Sequence, residues 1–202
     1  MQAYNKSELE NYFLAEEAKK LYQKKFLSKE QLQMIIAQLV QLKSNPNIFF
    51  RIGFFFLGSF LISTIISAFG LILFPLISED FEFIFFFYAI VAYIGLEVLV
   101  NMKFFRHGLD DAFLLTSQIS FAIGIGILTE AILPVLITML VLGVFFAIRF
   151  INTISALLAF IGLVGIFFNL IVEHDVMPKF YLSFVGLILA ILVYFFIVHL
   201  SK

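Results

Sequence analysis

Residues 112–148 read AFLLTSQISFAIGIGILTEAILPVLITMLVLGVFFAI, and Glu130 is the single charged residue among them. A helix needs about 20 residues to cross roughly 30 Å of hydrocarbon, so this run of about 37 residues is too long for one crossing. Thr129 and Glu130 form its polar break, and Pro134 follows at a position that a first helical turn tolerates. The stretch therefore predicts two membrane spans joined by a tight turn at Glu130.

The rest of the chain after residue 46 has the same apolar character. In the whole sequence 62% of the residues are apolar and 13% are charged, whereas soluble domains are about half apolar and a quarter charged. A small soluble fold could not bury so much apolar surface. We predict an all-α fold, a polytopic α-helical membrane protein with about six transmembrane helices in a lipid bilayer, over residues 47–202. The predicted spans are approximately 50–75, 83–101, 112–129, 131–149, 153–172 and 180–200.

Residues 1–46, called the head below, predict a cytoplasmic amphipathic helical hairpin. Ser7 opens one capping box, in which a hydroxyl residue is followed three positions later by Glu, and its helix is expected to run to about Lys24. Ser28 opens a second box ending in Gln31, and apolar residues then recur at helical spacing through Leu42. Asn45 and Pro46 are expected to stop that helix. The hairpin either packs on its own membrane domain or binds a protein partner.

The basic residues near the span ends predict the orientation. With the N-terminus inside, one residue, Lys179, falls on the outer side. The cytoplasmic side receives Lys43, Arg51, Lys103, Arg106, Arg149 and Lys202. Because short cytoplasmic loops carry the excess of Lys and Arg, we predict a multi-pass protein of the cell (cytoplasmic) membrane with both termini in the cytoplasm.

Small residues recur on some faces of the predicted spans. Such residues let helix backbones approach closely in lipid, where the hydrophobic effect no longer drives association. We therefore interpret them as helix-packing positions rather than as a substrate path. They are Ser59, Ser63 and Ser67, then Ser120, Ala122, Gly124 and Gly126, and finally Gly162 and Gly165.

Glu97 is the one acidic residue inside a predicted span, about one turn from its inner end. An ionisable group there is a functional hypothesis by default. One alternative is that Glu97 reaches the lipid headgroups or pairs with Lys103 or Arg106. The other is that it carries protons or cations.

A second set of polar candidates falls near the opposite ends of the spans. A cluster of carboxylates and an imidazole can bind a divalent cation or relay protons, although the spacing here matches no standard metal motif. The alternative is a set of solvated loop residues, and we predict no metal and no cofactor. The candidates are Asn169, Glu173, His174, Asp175 and Glu130. On the inner side, Asp110 is expected to cap the third span.

Composition and motifs argue against most chemistries. The chain has no cysteine, which excludes disulfides, thiolate nucleophiles and Fe–S clusters, and its net charge of −1 argues against nucleic-acid binding. It carries no GxSxG, P-loop or HExxH motif and no paired intramembrane aspartates. We predict no catalytic residue.

The order of features resembles the bacterial membrane proteins grouped as domain of unknown function 2157. The resemblance rests on the phrase Phe26-Leu27-Ser28-Lys29-Glu30-Gln31-Leu32, which precedes Arg51-Ile52-Gly53 and a compact set of helices. It covers mainly residues 10–75. It implies a bacterial inner membrane and no reaction, and it assigns no functional residue.

Three functions remain in competition. The first is a non-enzymatic scaffold or regulator that uses its cytoplasmic head to bind protein. The second is a small-solute or ion transporter or channel, acting alone or as a homo-oligomer, with Glu97 as its polar intramembrane group. The third is an intramembrane enzyme, which would need acids and bases converging in a cavity. The sequence favours the first.

Overall fold

In a computed structural model, residues 2–39, 42–44, 47–73 and 82–172, with 184, 186 and 187, are described. These residues form seven α-helices and no β-strand. The helices are α1 (Lys6–Gln23), α2 (Lys29–Gln38), α3 (Ile48–Leu73), α4 (Glu82–Asn101), α5 (Leu109–Thr129), α6 (Ile132–Phe150) and α7 (Thr153–Val172). The prediction of an all-helical fold is confirmed for this part of the chain.

Five of the described helices, α3 to α7, are long and apolar enough to cross a membrane. Each coincides with one of the first five predicted spans to within a turn at either end. The sixth predicted span, 180–200, lies outside the described residues except for positions 184, 186 and 187. The described fold is thus that of a multi-pass membrane protein, and the sixth crossing stays a prediction.

The tight turn predicted at Glu130 is present. Helix α5 ends at Thr129, and Glu130 adopts the left-handed conformation with φ of 50° while its N–H donates to the carbonyl of Gly126 at 3.0 Å. Ala131 is extended, and α6 begins at Ile132, which places Pro134 in its first turn. Two residues therefore reverse the chain between two membrane helices.

The helix starts of the head follow the capping prediction in one case. At α2 the Ser28 hydroxyl accepts from the N–H of Gln31 at 3.2 Å, and the Gln31 side chain accepts from the N–H of Ser28 at 2.8 Å. At α1 the predicted cap, Ser7, is wrong. Asn5 is the cap and accepts from the Ser7 N–H at 3.0 Å, because Asn caps as well as Ser and comes first in the chain.

The expectation that the second helix continues to Asn45 is also wrong, since α2 ends at Gln38. Lys43 is extended and pairs with the loop after α4. Its N–H donates to the carbonyl of Lys103 at 2.8 Å, and its carbonyl accepts from the N–H of Phe105 at 3.0 Å. Leu42 is buried beside this pairing. These bonds and this burial replace the two helical turns that the sequence pattern predicts.

Helix α5 is central, because among the described helices it packs against α3, α4, α6 and α7. Helices α6 and α7 form an extensive pair that depends on close backbone contact. A Cβ on Gly143 would lie 2.6 Å from the backbone nitrogen of Ala159, and one on Gly162 would lie 2.8 Å from the Leu136 carbonyl oxygen. The packing interpretation of Gly162 therefore holds.

The interpretation of the α3 serines as a packing face is not supported within the described residues. Ser63 and Ser67 are exposed there, and the Ser63 hydroxyl bonds back to the carbonyl of Ser59 in its own helix. The buried face of α3 instead runs through Gly58, Ile62 and Ile66. Gly58 approaches α5 closely, since a Cβ there would lie 3.0 Å from that of Ala112.

Candidate functional site

A buried carboxylate joins three membrane helices where their ends meet. Asp111, in the first turn of α5, accepts from Arg51 of α3, with its Oδ2 2.8 Å from Nε and 2.7 Å from Nη2. Its other oxygen accepts from Nδ2 of Asn152 at 2.6 Å. Asn152 in turn accepts from the backbone N–H groups of Ile154 and Ser155, as an N-cap of α7 does. The Asp111 side chain is 3% exposed.

The neighbouring Asp110 holds the loop before α5 rather than the helix itself. Its Oδ1 accepts from the backbone N–H groups of His107 and Gly108, both at 2.9 Å. The cap predicted for Asp110 is therefore displaced to the preceding residues, because the side chain folds back over the loop. Gly108 has φ of 106°, and a Cβ there would lie 2.2 Å from the Arg51 carbonyl oxygen. Only glycine fits this close approach.

Glu97 is paired with a cation on another membrane helix. Its Oε1 accepts from Arg149 of α6, 2.6 Å from Nη2 and 3.1 Å from Nε, and from the Tyr93 hydroxyl at 2.6 Å. The expected partners, Lys103 and Arg106, were wrong. Lys103 lies past the end of α4 in a left-handed turn and pairs with Glu8 of the head at 2.7 Å.

Two further hydrogen bonds link the membrane helices to one another, in addition to these ion pairs. The hydroxyl of Ser117 donates to the Ala89 carbonyl at 3.0 Å, which joins α5 to α4. The hydroxyl of Ser155 donates to Oε1 of Gln118 at 3.0 Å, which joins α7 to α5. All of these donors and acceptors are buried. Buried polar bonds between helices stabilise one particular packing in lipid by up to about 2 kcal/mol each.

The ion pairs and their hydrogen-bonded partners define what is called the polar layer below. It occupies the end of the bundle where α4 and α6 finish and α3, α5 and α7 begin. Its members are Arg51, Tyr93, Glu97, Asp111, Arg149 and Asn152.

The head is attached directly to the polar layer. The N–H of Ala3 donates to the carbonyl of Arg149 at 2.8 Å, and the Tyr4 hydroxyl donates to the carbonyl of Phe104 at 2.9 Å. Tyr4 and Tyr12 both pack edge-on against Phe105, with ring centroids 5.0 and 5.1 Å away. Phe105 is 1% exposed.

This contact makes one hydrophobic core of the head and the membrane helices. Tyr4, Leu9, Tyr12 and Leu42 belong to the same buried cluster as Leu96, Phe105 and Phe146. Burial raises the pKa of both tyrosines, and nearby carboxylates add to the effect. Both phenols are therefore neutral at physiological pH and act as hydrogen-bonding and packing groups.

His107 is the described imidazole of this region. Its ring lies 4.3 Å from the Phe54 ring and 4.8 Å from the Phe104 ring, measured between centroids. Its Nδ1 is buried and makes no hydrogen bond within the described residues. Burial lowers the pKa of His107, and the carboxylate of Asp110 opposes that effect. A neutral imidazole among aromatic rings serves packing better than proton transfer.

The other predicted polar candidates are not brought together in the described part of the chain. Asn169 is buried in α7, while Glu130 is exposed in the turn between α5 and α6. Glu173, His174 and Asp175 lie outside the described residues. Among the residues that are described, no group of three or more His, Asp or Glu side chains could hold a metal ion.

Two cavities between the described membrane helices are lined almost entirely by apolar groups. The larger, about 470 Å³, lies between α5, α6 and α7, and Gln118 is its single polar lining residue. The smaller, about 210 Å³, lies between α4, α5 and α6, where Ser117 and Tyr93 contribute the polar groups. Neither surface replaces the hydration shell of an ion or a polar solute.

Sequence reasoning found Glu97 and missed the rest of the polar layer. The sequence pattern presents Arg51 and Arg149 as positive charges at span ends, and it does not distinguish Asp111 from its neighbour Asp110. A signal did exist, because acids and bases at the same-side ends of several predicted spans are placed to pair across the bundle.

The polar layer is suited to holding helices together rather than to chemistry. Each carboxylate in it is matched by an arginine, which leaves no base available to accept a substrate proton. Comparison with models of known protein families, with curated proteins and with solved structures found no match. The resemblance to domain of unknown function 2157 stays a prediction.

Proposed function

We propose that the protein is a non-enzymatic scaffold or regulator in the cytoplasmic membrane, and that its head binds another protein on the cytoplasmic side. The proposal includes six spans, with 180–200 as the last, and both termini in the cytoplasm. The distribution of basic residues supports this orientation, since with six spans six of the Lys and Arg residues near span ends would fall on the side of the head and one, Lys179, on the other. The bacterial inner membrane is proposed from the family resemblance.

The observation that carries the proposal is the unequal attachment of the two head helices. Helix α1 and the residues just before it are held on the membrane bundle through Tyr4, Glu8 and Tyr12. Helix α2 has no buried residue, and among the described helices it packs against α1 alone. A helix held in place but left uncovered loses little conformational entropy when a partner binds, which favours recognition.

The outer face of α2 is the surface proposed for the partner. Leu32, Ile35 and Ile36 are half-buried, whereas the residues between them are exposed. Met34 is 61% exposed and is the apolar centre of that exposed face. The other exposed residues of this face are Glu30, Gln33, Ala37 and Gln38. The face is mainly polar with one flexible apolar side chain, which suits a reversible interaction.

The transporter alternative loses its main support. Its central residue, Glu97, is neutralised by Arg149 and hydrogen-bonded to Tyr93. Transporters place polar groups or broken helices near the bilayer midplane. In the described residues each of the membrane helices α3 to α7 is continuous, and the two cavities described above are apolar.

The test is site-specific photocrosslinking in native membranes. A photoreactive residue in place of Met34 should yield one discrete protein adduct, and one in place of the half-buried Ile35 should yield none. Gln33→Arg combined with Ala37→Arg should abolish the Met34 adduct without unfolding the head, because both positions are exposed. An adduct of twice the chain mass would identify the partner as a second copy. Lipid adducts alone at Met34 would refute the proposal.

A further inference from the structure

The turn of the head carries a concentrated positive charge. Residues 19–29 read KKLYQKKFLSK and contain five lysines and no acidic residue. All five lysines are exposed, namely Lys19, Lys20, Lys24, Lys25 and Lys29. Three apolar side chains are exposed among them, with Leu21 at 39%, Tyr22 at 40% and Phe26 at 74%. Residues 19–29 are called the basic tip below.

The backbone of the basic tip is a defined helix ending. The N–H of Phe26 donates to the carbonyl of Leu21 and that of Lys25 to the carbonyl of Tyr22, both at 2.9 Å. Lys25 is left-handed with φ of 64°. This is the Schellman arrangement, usually built on glycine, and it reverses the chain. It leaves Phe26 largely exposed in the reversal, next to Lys24 and Lys25.

The contacts between the head and the membrane bundle lie at the opposite end of α1 from the basic tip. Ala3 contacts Arg149 at the end of α6, and Glu8 and Tyr12 contact the loop of residues 103–105. These contacts lie in the residues before α1 and in its first two turns, so the bundle holds α1 near its N-terminal end. At about 1.5 Å per residue, Lys25 is about 20 Å farther along α1 than Tyr12.

Nothing in the described part of the membrane domain covers the tip. Neither α1 nor α2 packs along any of the described helices α3 to α7. Tyr12 packs on Phe105 in the loop between α4 and α5, so α1 holds the tip within about 20 Å of the end of the membrane bundle and hence close to the bilayer surface.

We propose that the basic tip binds the headgroups of anionic lipids in the leaflet beside the bundle. The lysine ammonium groups would pair with lipid phosphates, while Tyr22 and Phe26 would lie at the boundary with the acyl chains, where aromatic side chains are favoured. Juxtamembrane lysines are attracted to anionic leaflets. Attachment to the membrane domain holds the tip at high effective concentration near the lipid, which favours lipid over a soluble acidic protein.

A single-cysteine reporter tests this inference, because the chain has no cysteine of its own. Gln23→Cys in the full-length protein, carrying an environment-sensitive fluorophore, is placed in nanodiscs with a lipid-borne quencher near the headgroups. Quenching should be strong when a third of the lipid is phosphatidylglycerol and weak in pure phosphatidylcholine. Salt should reduce it by screening. The same fluorophore at Gln33, on the outer face of α2, should stay unquenched in both.

A charge variant and its matched control complete the experiment. Lys20→Gln, Lys24→Gln and Lys29→Gln together should lower the ratio of lipid-bound to free tip about a hundredfold, since each lysine near an anionic surface contributes about fivefold. Lys6→Gln, which removes an exposed lysine far from the tip, should have little effect. Hydrogen exchange of α1 in both variants checks that the head remains folded and attached.

Equal quenching at Gln23 with and without phosphatidylglycerol, or full quenching in the triple variant, would overturn the lipid assignment. Absence of quenching in both membranes, together with protection of the tip from hydrogen exchange only when a membrane extract is added, would show that the tip binds a protein instead. Both nanodisc leaflets carry the same lipid, so the outcome does not depend on the proposed cytoplasmic orientation. The Met34 adduct of the proposed function can fail or succeed independently.

Discussion

Arg51 donates two hydrogen bonds to one oxygen of Asp111, through Nε at 2.8 Å and Nη2 at 2.7 Å. The two residues stand in the first turns of α3 and α5, with the whole of α4 between them in the sequence. The arginine side chain is 30% exposed and the aspartate side chain 3%. The pair thus links two membrane helices just inside the aqueous boundary, and the aspartate is its buried partner.

Asp111→Ala should destabilise the protein more than any exposed substitution. The change removes the buried acceptor of two charged hydrogen bonds and leaves the partly exposed Arg51 unpaired, which costs about 1.5–3 kcal/mol. Here the change also deprives Asn152 of its acceptor. The measurement is the unfolding of purified protein by denaturant in detergent micelles.

The matched control for Asp111 is Glu10→Ala. Glu10 pairs with Lys6 at 3.8 Å, and both side chains are exposed. Such surface pairs contribute no more than about 1 kcal/mol. If Asp111→Ala and Glu10→Ala lower the free energy of unfolding equally, the Arg51–Asp111 pair does not hold the bundle together.

Glu97→Gln should lower the free energy of unfolding without altering any ion flux. The Glu97–Arg149 pair is partly exposed, at 29% and 25%, so loss of its charge should cost about 1–3 kcal/mol. Adding Arg149→Gln should restore part of the loss, since no unpaired charge then remains. Flux through reconstituted liposomes that depends on Glu97 while stability is unchanged would favour the transporter over a structural role.

Gly143→Ala should disrupt the pairing of α6 with α7. The added methyl would lie 2.6 Å from the backbone nitrogen of Ala159, so the helices must separate, at a cost of about 1–3 kcal/mol. Gly53→Ala is the matched control, because a Cβ there meets no atom within 4 Å, and helix propensity favours the change by up to about 1 kcal/mol. Thermal unfolding in detergent should therefore move in opposite directions for the two variants, and a shared direction would contradict the close approach.

His107 should make stability decrease in mild acid. Because its pKa is lowered by burial in the folded state, the unfolded chain binds the proton more readily. The contribution of His107 to the free energy of unfolding is therefore complete above the ordinary histidine pKa of about 6.5. It is lost as the pH falls from there through the folded-state pKa. His107→Phe should remove this part of the pH dependence. His174 and His199 are present in both proteins, so the difference between the two pH profiles isolates His107.

Composition and hydrophobic patterning were sufficient for the class and for the course of the described membrane helices. Runs of about 20 apolar residues must become helices in lipid, because only a helix satisfies its own backbone hydrogen bonds there. That is why α3 to α7 match the first five predicted spans, and why Glu130 was identified as the turn between α5 and α6. Each of these features depends on neighbouring residues only.

Local patterns were less reliable where a distant segment competed. Leu42 continues the helical spacing of α2, yet it is buried in the common core while Lys43 pairs with the loop after α4. Ser7 fits a capping box, but Asn5 caps the helix just after the buried Tyr4. In each case the local preference is worth about 1 kcal/mol, which burial and long-range hydrogen bonds exceed.

Composition and the spacing of apolar residues are enough to predict helices that suit a membrane and charged residues near the helix ends. Which of those charges pair depends on the three-dimensional packing. Glu97 pairs with Arg149 rather than with Lys103, Arg51 pairs with Asp111, and the head packs on Phe105. The physical reason is that pairing across a bundle depends on the rotation and depth of each helix relative to its neighbours, and side-chain packing sets both.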